Sequence, residues 1–299
     1  MTRALVLGGT GMLGHVLWRT CRGAGIETVA TVRADRLAGP AAAALDPSST
    51  LTGVRAEDFE SVTRALDGSG AETVVNCIGI VKQSSRAGDP VGTITVNSLF
   101  PHQLAAACRE RGLRLIHVST DCVFSGRRGG YDEDDVPDPV DLYGRSKLLG
   151  EVAGEGALTI RTSMIGRELE GANGLLEWFL GEAGGAVRGF SRAVFSGPTT
   201  PVLSRAIAEV IDRHPGLKGV YHLGADPIDK HELLLMLREA FSLDVEIEAD
   251  GTVQVDRSLD SSRFRAATGW ESPGWERMIA ELASTAGEYS SIKGSLASR

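Results

Sequence analysis

A run of apolar residues approaching the ~20 needed to span a bilayer is missing from this 299-residue chain. A membrane-crossing helix is therefore not expected. A basic excess is missing too. The formal net charge is −8, which argues against a nucleic-acid-binding surface. It leaves a phosphorylated ligand open, because helix N-termini and a few local arginines suffice to hold one. Cysteine is scarce: Cys21, Cys77, Cys108 and Cys122 make no Cys-x-x-Cys pair, and no histidine stands at metal-ligand spacing. No metal site is expected, and the thiols are expected to be buried. The N-terminus reads straight into a strand with no signal peptide, so a reduced cytoplasmic setting is expected.

What is present is a substantial core. Apolar residues make up 42% and charged residues 23%, enough to build a globular α/β chain. Short apolar strands at 4–7, 28–32, 73–78, 113–119 and 158–162 alternate with helical patterns. These run from the glycines to about 22, then 59–66, 97–111 and 143–153. Such alternation predicts parallel strands with right-handed crossovers, a doubly wound sheet. The second half is more mixed. Helices are expected within 174–180 and at 203–212, 230–241 and 275–286, with strands at 220–223, 245–247 and 253–255. The Ser-, Gly- and Ala-rich tail from Thr285 is expected to be loose.

Gly8, Gly11 and Gly14 follow the first strand and open a helix. Glycine there permits a tight turn and lets backbone N–H groups approach a pyrophosphate, as in a Rossmann dinucleotide site. Gly8, Thr10, Gly11, Met12, Leu13 and Gly14 are the expected cofactor contacts, with Cys77, Ile78 and Gly79 at the end of the strand 73–78. Arg33 ends the second strand, where an acid usually holds the ribose of NAD. An arginine there suits a 2′-phosphate and favours NADP; Asp35 keeps NAD open.

Tyr143 and Lys147 are four residues apart and so share a helix face. A phenol titrates near ~10 in water, and a nearby ammonium is expected to pull that value down. Thr120 follows the strand 113–119, which ends in hydroxyl residues, at the carboxyl end where open α/β sheets place ligands. Together these residues point to hydride transfer coupled to proton transfer at a carbonyl or alcohol carbon.

The chain resembles the extended short-chain dehydrogenases/reductases. Ser119-Thr120-Asp121-Cys122-Val123-Phe124-Ser125-Gly126, then Tyr131 to Pro137 and Tyr143-Gly-Arg-Ser-Lys147 to Glu151, are especially similar to the dTDP-4-dehydrorhamnose reductase group. The resemblance is strong over 1–165 and weaker afterwards. It implies a Rossmann domain at 1–165, with 186–223 returning to it, and a smaller mixed α/β substrate lobe at 166–185 and 224–299. It implies that Tyr143 donates a proton, Lys147 bonds the nicotinamide ribose and lowers the tyrosine's pKa, and Thr120 orients the sugar oxygen. Asn97 is expected to steady the central helix and strand.

Related dehydratases carry a glutamate where this chain has Cys122, so dehydration is disfavoured. The substrate is expected to be a nucleotide-linked 4-keto sugar, near Asp121, Cys122, Arg167, Trp178 and Arg257; Arg161, Arg188 and Arg192 are further basic candidates. Trp178 and Phe179 also read as core, and Thr199-Thr200 as a turn. The acidic run 132–135 reads as a solvated loop rather than a Mg2+ site. The alternatives are a sugar-nucleotide epimerase using the same three residues and a cofactor-binding regulatory subunit without turnover. A homodimer is left open.

Overall fold

A computed structural model gives the structure of the protein and describes residues 2–294. The first half contains β1 (Arg3–Leu7), α1 (Gly14–Gly23), β2 (Glu27–Thr31), α2 (Gly39–Ala44), β3 (Thr50–Leu51), α3 (Phe59–Ser69) and β4 (Thr73–Asn76). It continues with α4 (Pro90–Ile94), α5 (Phe100–Glu110), β5 (Arg114–Thr120), α6 (Leu142–Leu149) and β6 (Ala157–Thr162). The second half adds α7 (Leu175–Leu180), β7 (Ala186–Phe190), β8 (Ala193–Phe195), α8 (Thr200–Arg213), β9 (Gly219–His222) and β10 (Ile228–Asp229). It ends with α9 (Lys230–Ala240), β11 (Glu246–Asp250), β12 (Val255–Asp256), α10 (Ser262–Thr268), α11 (Trp275–Ser284) and α12 (Ala286–Gly294).

Seven strands form one parallel sheet in the order β3-β2-β1-β4-β5-β6-β9. This is the doubly wound arrangement expected from the alternation. Side chains alternate across a strand, so Ala4 and Val6 pack with Leu17 of α1 and Ile207 of α8 on one face. Leu5 and Leu7 pack with Val62 of α3 and Phe100 and Leu104 of α5 on the other. Burial on both faces is why these strands read as continuous apolar runs. The strand order reverses between β1 and β4, and crossovers leaving in opposite directions open a crevice at the carboxyl ends. Asn76, the last residue of β4, pairs with His117, so β5 runs on to Thr120 past the end of its neighbour.

A smaller lobe packs around Leu176, Phe179, Leu233, Leu237, Met278 and Ile279. Its strands form two small sheets, β10-β8-β12 and β11-β7. Residues 186–195 therefore pair within the lobe, whereas α8 and β9 return to the large sheet.

Several boundaries differ from the sequence reading for identifiable reasons. Strand β4 stops at Asn76 because its side-chain Oδ1 accepts the N–H of Ile78 at 3.0 Å and turns the chain. The expected helix 97–111 is a longer run starting at Pro90, broken by a π-turn at Thr95–Leu99. Helix α6 ends at Leu149 rather than 153. A Cβ on Gly150 would stand 1.9 Å from the Asn97 carbonyl oxygen, so the chain passes tightly beneath the π-turn there. The tail is not loose through 294, because α12 is packed with Tyr289 and Ile292 buried; the remaining tail residues, 295–299, lie outside the described residues.

Candidate active site

The glycine-rich turn leaves β1 at Gly8, whose φ of +86° is a left-handed conformation open to glycine. A Cβ on Gly8 would press to 3.3 Å on the backbone of Cys77, and one on Gly14 would lie 2.1 Å from the Gly8 carbonyl oxygen. The N–H of Gly9 donates to Thr31 O at 2.7 Å, tying the turn to the end of β2. Thr10 and Gly11 are exposed at the start of α1, where N–H groups and the helix dipole suit an anion. A cleft of about 210 Å³ runs from this turn past Thr31, Arg33 and Arg55 on one side and Cys77, Ile78 and Gly79 on the other. These residues fit a dinucleotide: the turn offers N–H groups to a diphosphate, and the glycines leave its backbone uncovered.

Beside this cleft, the overhanging end of β5 brings Thr120 to Tyr143 at the start of α6. Asp141 caps that helix by accepting the Gly144 N–H at 2.8 Å, and Lys82 pairs with Asp141 from the opposite wall. Burial raises the pKa of the Tyr143 phenol, with Cys122 adding to the rise, a hydrogen bond with Thr120 opposing it, and Asp121 and Asp141 adding further. The expected lowering by Lys147 does not appear. That side chain is 4% exposed and its Nζ donates to Val118 O at 2.7 Å. A Cβ on Gly79 would lie 3.9 Å from the ammonium, so Lys147 reaches the floor of the cleft rather than the phenol. Burial takes Lys147 down to about 8, opposed by Glu151 and Cys77. At neutral pH Tyr143 is thus a protonated acid, and Lys147, at the floor of the cleft, carries its charge.

Asn97 ties the walls together. Its amide exchanges hydrogen bonds with the Ile80 backbone at 2.8 and 2.9 Å and donates to Ser146 Oγ at 3.2 Å. The π-turn directs Asn97 and Ser98 towards α6, where Ser98 Oγ donates to Ser146 O at 2.8 Å. Behind them Glu151 accepts a bidentate pair from Arg161 at 2.9 and 2.8 Å and the Ser119 hydroxyl at 2.7 Å.

The remaining candidate residues fall in different places. Arg257 donates to Phe124 O at 2.9 Å, and its charge acts on Asp121, whose pKa burial raises. Burial lifts the Cys122 thiol to about 12, and Asp121 adds to this. Arg167, by contrast, is buried against Glu177 at 2.6 Å and over the Tyr289 ring; Arg161 is held by Glu151. Arg188 and Arg192 bond Asp250 and Gln254 within the lobe. Trp178 is 37% exposed, so Phe179 alone belongs to the core. Thr199 and Thr200 are buried. The acidic run is not simply a solvated loop: the Glu133 side chain is 3% exposed and accepts the His222 N–H at 2.7 Å, and Asp134 pairs with Arg263. Among the described residues no group of three or more His, Cys, Asp or Glu could hold a metal ion. Sequence reasoning missed Lys230, a half-buried cation whose charge acts with that of Arg257 on Asp121 and Cys122, and Arg55 in the cofactor cleft. Neither has a local motif; the fold brings them in.

Comparison with known proteins gives the family of the chain. A probable low-salt glycan biosynthesis reductase, Agl14, of Haloferax volcanii is 29% identical over 96% of this chain and 99% of its own. A dTDP-4-dehydrorhamnose reductase of Mycolicibacterium smegmatis is 30% identical over 70% of this chain and 60% of its own. Among solved structures, a dTDP-4-dehydrorhamnose reductase of Bacillus anthracis in complex with NADP shares the fold, with a TM-score of 0.79, 20% identity and coverage of 96% of this chain and 100% of that one. Residues 2–286 match the family described as RmlD substrate binding domain. With the match spanning the large sheet and nearly all of the lobe, the chain belongs to the RmlD substrate binding domain family.

Proposed function

We propose that the protein is an NADP-preferring reductase of a nucleotide-linked 4-keto sugar, acting in the cytoplasm in deoxysugar or surface-polysaccharide synthesis. The observation that carries this reading is the meeting of Thr120, Tyr143 and Lys147 at the carboxyl end of β5, beside the glycine turn. The glycine turn would hold the cofactor diphosphate, Arg33 and Arg55 a 2′-phosphate, and Lys147 the nicotinamide ribose above Cys77 and Gly79. The bound reduced nicotinamide supplies the hydride.

The chain's own residues do the rest. Thr120 donates a hydrogen bond to the keto oxygen and orients it towards the phenol. Tyr143, kept protonated by its burial, gives up its proton as charge develops on that oxygen. Arg257 and Lys230, cations on the wall beside Asp121, suit the substrate diphosphate. Cys122 cannot serve as a base for dehydration, since a thiol titrating near 12 stays protonated at neutral pH.

The test offers dTDP-, UDP-, GDP- and CDP-linked 4-keto sugars with NADPH or NADH. We expect one NADPH consumed per hydroxy-sugar formed. A new sugar without net cofactor consumption would indicate an epimerase, and cofactor binding with no turnover of any sugar a binding subunit; either would replace the proposed reaction.

A further inference from the structure

Helix α12 begins at the last residue of the family match, yet it packs on α2 and reaches the first turn of α1 through Tyr289. Tyr289 is 1% exposed. Its hydroxyl meets His15 Nε2 at 2.5 Å, and the two rings stand edge to face. His15 follows Gly14 in α1, and its Nδ1 lies 2.7 Å from the Gly11 carbonyl oxygen. A carbonyl only accepts, so Nδ1 carries the proton. Burial takes this imidazole down to about 4; the neutral ring then accepts at Nε2. The hydrogen bonds therefore run one way, from the Tyr289 O–H through the imidazole to the Gly11 carbonyl.

The same helix is anchored on three further sides. Arg167 lies over the Tyr289 ring at 4.7 Å. Glu177 of α7 accepts from both Arg167 and Lys293 at 2.6 Å. Ile292 packs with Leu169 and with Ala44 of α2.

We propose that Tyr289 and His15 are positioning residues for the cofactor, and that α12 clamps the glycine turn. Their chain of hydrogen bonds holds the Gly11 carbonyl against His15, inside the protein. Without them only the long bond from the His15 backbone N–H, at 3.4 Å, would hold that carbonyl, and it could rotate outwards and set an oxygen dipole against the diphosphate; held, it leaves the exposed side of the turn to N–H donors. The proposal rests on the cofactor site assigned above.

Direct NADPH titration of the full chain tests it, with melting temperatures measured in parallel. Tyr289→Phe keeps the ring and removes the hydroxyl. It should weaken NADPH binding about 3- to 10-fold, the weight of roughly one hydrogen bond. His15→Ala should weaken it at least as much, and His15→Asn, which can return a donor to Gly11, should restore part of the loss. KM for the sugar and kcat at saturating NADPH should stay unchanged. A lowered melting temperature with unchanged NADPH affinity in Tyr289→Phe and His15→Ala would show a merely structural contact and overturn the proposal. Failure of the unmutated chain to bind NADPH would instead overturn the cofactor reading, and the clamp with it.

Discussion

Arg33 and Arg55 each have a carboxylate partner already, Glu57 at 3.4 Å and Asp35 at 2.6 Å. Both pairs are at least partly exposed, and such pairs contribute little. A doubly charged 2′-phosphate would therefore displace the carboxylates at small cost. Parallel titrations with both cofactors should show Arg33→Ala losing about 10-fold or more in NADPH affinity while NADH changes less than about twofold, as expected for one charge-assisted contact. Equal losses would place Arg33 outside the phosphate site. Arg33 was singled out because it follows the second strand at a known offset from the glycines, and it lines the same cleft as the turn, two residues beyond the end of β2 at Thr31. Arg55 was not, because it follows a two-residue strand that exists only by pairing with β2. Lys147 shows a different limit. The i,i+4 spacing fixes a shared helix face with Tyr143, but not the direction of a long side chain. That direction is set by the Val118 carbonyl on β5, a partner distant in sequence.

At the scale of elements, periodicity revealed whatever buries a face. Strands β1, β2, β4, β5 and β6 and helices α1 and α3 follow the apolar patterns closely. The short strands β3 and β10 carry too few residues to show any period, and β12, at Val255–Asp256, was expected slightly early at 253–255. The π-turn was hidden because its residues still look helical; the extra residue is absorbed where Asn97 and Ser98 meet α6. Helix α12 was misread for a physical reason. Its Ser and Gly content resembles a disordered tail, and only Tyr289 and Ile292 of it are buried. Their partners, His15 and Ala44, lie near the other end of the sequence.

Over the whole molecule, burial holds three histidines neutral. It takes His15 and His222 down to about 4, with Arg161 adding to the shift at His222, and places His117 well below its ordinary value. Unfolding exposes them to water, where imidazole titrates near ~6.5. Between about pH 6.5 and 4 the unfolded chain therefore binds more protons, so stability rises with pH in that window and is lost as pH falls through it. Each histidine contributes a slope of up to about 1.4 kcal/mol per pH unit. Urea unfolding at pH 7, 6 and 5 should show midpoints falling steadily below 6.5, and a flat midpoint would contradict the buried neutral state. This acid sensitivity reaches the cofactor turn, because His15 is part of it.

The proposed reaction itself stands on the Tyr143 hydroxyl. The most direct measurement compares the full chain with Tyr143→Phe, using NADPH and whichever nucleotide-linked keto sugar it reduces. The account predicts a fall in turnover of about 10²- to 10⁴-fold, the weight of a general acid, with NADPH affinity kept within about twofold. Turnover left unchanged by the substitution would contradict it.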